Sequence, residues 1–119
     1  MNRTGIQLQD ESFAFALQIV KLARVLSAKQ KDWVLSRQIL KSGTSIGANI
    51  REAQFAQTKA DFITKLTISL KEASETQYWL ELLEKSGMID KDLYFTLRTA
   101  CDKLVGTLVN VVKSAKARQ

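Results

Sequence analysis

Ser42-Gly43-Thr44-Ser45-Ile46-Gly47-Ala48-Asn49 is the stretch on which the fold turns. It admits two readings. In the first it is the middle of one continuous helix, whose glycines, one turn apart, let a neighbouring helix come close. In the second it breaks the chain into two short helices. An interior glycine costs about 1 kcal/mol relative to alanine, so the continuous helix needs close packing as its compensation. Leu35, Ile39, Ile46, Ile50 and Ala53 mark one buried side across the whole stretch, at the spacing of a single helical stripe. The continuous helix is therefore favoured, from about residue 33 after an Asp32 cap to about residue 57.

Working outward, Thr58 followed by Asp61 resembles a capping arrangement for a third helix over about 59–86. Phe62, Leu66, Leu70, Ala73, Leu80 and Leu83 form its stripe, and Ser86-Gly87 marks its end. Asp90 caps a fourth helix over about 91–113, with one stripe through Leu93, Leu97, Ala100, Leu104, Leu108 and Val111. Upstream, Phe13, Leu17, Val20 and Ala23 define a first helix over about 10–28, with Ala16 and Ile19 beside them and Asp10 and Glu11 at its positive end. Connections of roughly three to six residues join antiparallel neighbours. The expected architecture is all-α: an antiparallel up-down-up-down four-helix bundle forming a single domain over 1–119, with a basic C-terminal tail from 113 to 119.

Composition agrees. The chain has 119 residues, 45% of them hydrophobic and 25% charged, enough for one domain with a real core. Proline is absent, which favours long uninterrupted helices. Cys101 is the single cysteine, so no internal disulfide can form, and its helical position reads as a small buried apolar side chain. No secretory leader and no apolar run of membrane-spanning length is evident, so a cytoplasmic protein with no membrane role is expected.

Little in the chain points to catalysis. Without histidine the usual neutral-pH acid–base group and the commonest metal ligand are missing. Glu72, Glu75, Glu81 and Glu84 could suggest a carboxylate metal site, but the di-iron bundles pair such glutamates with histidines. The Gly43–Gly47 segment has the wrong spacing for a phosphate loop, no lysine and no preceding strand. The expectation is a non-enzyme with no cofactor and no metal.

The formal charge of +6 makes an anionic partner the better lead. Arg37, Lys41 and Arg51 lie on one side of the second helix, although Glu52 sits nearby, and Lys113, Lys116 and Arg118 make the C-terminal end basic. These six are the candidate contacts for RNA or DNA. An apolar surplus suggests a further partner. Tyr78, Trp79 and Leu82 widen the stripe of the third helix, and Val105, Val109 and Val112 add a second stripe to the fourth. Such surplus surface marks association, here a homo-oligomer through those six residues. A protein–protein adaptor with no nucleic-acid role is the alternative function.

The stretch from Leu40 to Gln54, LKSGTSIGANIREAQ, closely resembles the signature of bacterial four-helix-bundle proteins related to those encoded in 23S rRNA intervening sequences. Lys59 to Leu83 looks like that family's third helix, and the resemblance is strong from about Val34 to Leu83. Many relatives carry Pro in place of Gly47 and a small residue in place of Arg51. The resemblance implies an up-down bundle and a ring-shaped homo-oligomer, with a pentamer favoured. Relatives include the accessory subunit of diversity-generating retroelements, a positively charged pentameric barrel that works with a reverse transcriptase and nucleic acid. It supplies no catalytic residues. Asn49 matches the family motif; it reads as a hydrogen-bonded polar group in or beside the core, or as a device fixing register or subunit contact.

Overall fold

Asn2, Asp32, Thr58 and Asp90 each hold an extended backbone and accept, through the side chain, the amide hydrogen bond of the third residue onward. Such caps satisfy amide donors that a helix start leaves open. They begin the four helices of the computed structural model, which describes residues 2–118: α1 (Arg3–Lys29), α2 (Trp33–Ala53), α3 (Lys59–Lys85) and α4 (Lys91–Ala117). Consecutive helices pack side by side, α4 returns against α1, and the backbones of the diagonal pairs stay apart. The result is an all-α four-helix bundle measuring 47 × 21 × 20 Å. The α1–α4 seam is the sparsest of the four. It carries a Lys103–Glu11 ion pair at 2.7 Å and a largely apolar groove of about 460 Å³ lined in part by Leu22, Val25, Met88 and Leu93.

Helix limits differ from expectation where tertiary packing overrides local signals. α1 starts at Arg3 and not near residue 10, because Asn2 caps it and Leu8 is buried in the core; Asp10 and Glu11 are mid-helix. α2 stops at Ala53, four residues short of the expected 57, where the Gln54 amide turns back to Arg51 and Glu52 carbonyls. α4 runs to Ala117 because Ala115 is buried. The expected tail is thus mostly helix, with Gln119, like Met1, outside the described residues. At the α3 end, Gly87 takes φ +80° and the Met88 amide bonds to Leu83 O at 2.9 Å, closing the helix as the sequence suggested.

α2 is one unbroken helix, and Gly43 is the reason it can be. A Cβ built there would lie 2.8 Å from Ile19 Cγ2 and 2.9 Å from Cγ1, so α1 occupies the space a side chain would need. At Gly47 the nearest atom would be Ser12 Oγ at 3.2 Å. Hydroxyls tie the same helix to both neighbours: Ser36 Oγ donates to Ala23 O and Ser69 Oγ to Ile46 O, each at 2.8 Å. Thr76 Oγ1 and Ser42 Oγ meet at 3.0 Å. Small polar residues therefore bring backbones together while keeping their own polar atoms paired. Asn49 is half-buried, and its amide donates to Ser45 O of its own helix at 2.8 Å.

Gly106 has open space where a Cβ would go. Gly106→Ala is expected to raise stability by about 0.5–1 kcal/mol through helix propensity alone, read as a higher urea midpoint. No gain would mean that α4 is not regular helix at that point.

Candidate functional site

Arg37, Lys41 and Arg51 are all exposed on α2, but they do not form a uniform cationic stripe. The Arg51 guanidinium sits 5.8 Å from the centre of the Phe13 ring. The two close over a cleft of about 400 Å³ between α1 and α2, lined also by Ser12, Ala16, Gly47 and Ala48. Lys41 lies near Glu72, whose carboxyl is pushed up by partial burial and by the neighbouring Glu75, an effect Lys41 opposes. Glu52 pairs with Lys65 at 3.7 Å. On α2, then, arginines are interspersed with apolar side chains.

Lys113, Lys116 and Arg118 stand elsewhere. They end α4, which is diagonal to α2, so the two expected basic groups occupy different sides of the bundle. Lys59 joins the second group. Its Nζ donates to Arg118 O at 2.9 Å, beside a shallow recess of about 520 Å³ formed by the start of α3 and the end of α4. None of these four cations makes an ion pair among the described residues. Asp61, in the first turn of α3, is the acidic group nearest in sequence, and its amide is held by Thr58. Lys59 was not among the sequence candidates, though the up-down topology alone sets the first residue of α3 at the same end as the last turn of α4.

The expected interface residues divide too. Tyr78 is 59% exposed and meets Trp79 edge to face at 5.0 Å. The half-buried Trp79 donates from Nε1 to Glu75 at 3.1 Å, and Leu82 is partly exposed. Val105 and Val109 are half-buried, and Val105 packs on the core. Val112 is only 8% exposed and is a core residue, which corrects its assignment to a partner surface. A bundle this narrow uses the second stripe of α4 to cover itself.

The larger surplus lies where the sequence placed core. Phe13 and Leu17 are 54% and 50% exposed, whereas Leu8, Phe15, Ile19, Leu22 and Leu26 fill the interior. α1 is apolar on two faces, so periodicity could not choose between them, and Leu8 lies before the expected helix start. With Trp33 and Leu40 of α2, also exposed, these side chains form an apolar outer face on α1 and α2.

Cys101 is fully enclosed, with its Sγ 3.5 Å from Ala73 O, and burial pushes the thiol up to about 12. No helix is long and apolar enough to cross a membrane, among the described residues.

Comparison with known proteins follows the same architecture. A solved structure of a protein of unknown function from the S23 ribosomal protein family of Bacteroides thetaiotaomicron superposes with a TM-score of 0.91 at 47% identity. The match covers 92% of this chain and 98% of that one. No functionally curated protein matches. The family model for the 23S rRNA-intervening sequence protein matches residues 5–110, and with nearly the whole bundle inside that match, the chain belongs to this family.

Proposed function

We propose that this is a non-catalytic, self-associating scaffold of the cytoplasm that contacts RNA or another nucleic acid through the basic end of its bundle. The observation that carries the nucleic-acid reading is the gathering of Lys59, Lys113, Lys116 and Arg118 at one end, with no ion pair to any of them among the described residues. Cations that no neighbouring carboxylate neutralises are the groups that phosphates attract. Phe55, 81% exposed in the α2–α3 connection, offers a ring on which an unpaired base can stack at the same end of the molecule. The family resemblance, which implies kinship with the retroelement accessory subunit, supports the same class of partner. A ring, with a pentamer favoured by that resemblance, would repeat the basic end around one axis and raise affinity through multivalency.

Titration with labelled single-stranded RNA at several salt concentrations tests the reading. The expected result is binding that weakens steeply with salt, with a log–log slope near −0.7 per phosphate neutralised. Lys116→Glu with Arg118→Glu should weaken binding about tenfold or more and flatten that slope. Absence of binding at low salt would leave the adaptor reading, which the exposed apolar face of α1 and α2 favours.

A further inference from the structure

The recess at the basic end combines three kinds of group. Half-buried Phe62, with Ala56 and Ala115, makes it partly apolar, and its volume of about 520 Å³ lies in the range of ligand clefts. Lys59 and Arg118 add charge, and the bond from Lys59 Nζ to Arg118 O uses one of three ammonium donors. The exposed side-chain amide of Gln57 lines the recess too and is engaged by no other described residue. Asp61, in the first turn of α3, does not line it, and Glu52 near the end of α2 is paired with Lys65. A second ring, Phe55, stands exposed one residue before Ala56.

Phosphates need only the cations. Two rings and an amide address another part of a nucleic acid, the faces and edges of its bases. In a duplex the faces are stacked on one another. A bundle 21 × 20 Å in cross-section cannot enter the deep, narrow major groove of an A-form helix to reach base edges there. An unpaired strand presents both faces and edges. We infer that the basic end selects single-stranded over duplex RNA, holding one base against Phe62 and stacking its neighbour on Phe55. The edge of the held base meets Gln57, and its phosphate meets Lys59 and Arg118. This inference rests on the nucleic-acid contact proposed above and names the form of strand that makes it. The Gln57 amide offers a donor and an acceptor together, so it can pair with the edge of any base. Selection is therefore for unpaired strand and not for a sequence.

Fluorescence anisotropy with three labelled probes tests this: an RNA strand of about twelve nucleotides, the same strand annealed to its complement, and an abasic strand of equal length. The single strand is expected to bind at least about tenfold more tightly than either of the others, because stacking on a ring contributes about that much per base. Phe55→Ala, at a position 81% exposed, should weaken single-strand binding about tenfold and leave duplex binding unchanged. Its salt slope should match that of the wild type, because no phosphate contact is lost. Phe55→Trp should restore the affinity. Phe62→Leu keeps most of the apolar volume packed on the core and should weaken single-strand binding in the same way. Circular dichroism and melting within a few degrees of wild type establish that the variants fold. Equal affinity for all three probes, or wild-type affinity in Phe55→Ala, overturns the inference while the phosphate contact stands. No binding of any probe at low salt overturns the nucleic-acid reading as well.

Discussion

Gly43→Val is expected to lower the stability of the fold by about 3 kcal/mol, and so the melting temperature by roughly 10 °C. An ideal Cβ at this position already lies under 3.0 Å from two carbons of Ile19. Ile19 is fully buried and β-branched, so it cannot swing away from the intruding methyl groups. Gly43→Ala should be milder, near 1 kcal/mol, because alanine regains about as much helix propensity as part of the clash costs. Combining Gly43→Val with Ile19→Ala decides the cause. Ile19→Ala alone should cost about 2–5 kcal/mol through the cavity it leaves, and the pair should cost at least about 1 kcal/mol less than the sum of the singles. Strict additivity in urea unfolding would show that the two helices do not meet where described.

The second large effect concerns Cys101. Burial raises its thiol from an ordinary 9.0 to about 12, with Asp102 reinforcing the shift and Arg98 opposing it. Only the thiolate attacks disulfide reagents, so at neutral pH its population falls by about a thousandfold, before access is considered. Labelling of the folded protein should therefore be at least about a hundredfold slower than labelling in denaturant, and should follow unfolding. Prompt stoichiometric reaction of the native chain would contradict the enclosed position. The pH dependence has a definite sign. Below about pH 9 the thiol is neutral in both states and imposes no cost. Above it the unfolded chain ionises first, so stability falls as pH rises from about 9 towards 12.

How far the sequence could be read depended on whether a signal was local. Caps at Asp32, Thr58 and Asp90 and the stop at Gly87 are local, involving bonds across three to five residues, and each stands where its residue type suggested. The continuity of α2 was legible because glycines one turn apart have a single packing explanation. The orientation of α1 was not. Phe13 and Leu17 obey the helical period as well as Phe15 and Ile19 do, and only the presence of α2 and α4 selects the second pair. The same ambiguity led Val112 to be read as surface. As for the basic end, Lys113, Lys116 and Arg118 could be named from charge alone, but Lys59 becomes their neighbour only through a contact that spans half the chain.

The thin α1–α4 seam gives the molecule an order of disassembly. α2 is bound on both flanks by hydroxyl-to-carbonyl bonds and glycine-mediated approach, while the opposite side is closed around an ion pair and a groove. Thermal breathing would therefore part the terminal helices first, like a book opening away from its spine. The central hairpin of α2 and α3 would persist as the most protected unit. Anything that wedges into that opening, whether a bulky ligand or a misdirected neighbour, would meet the least resistance the fold offers.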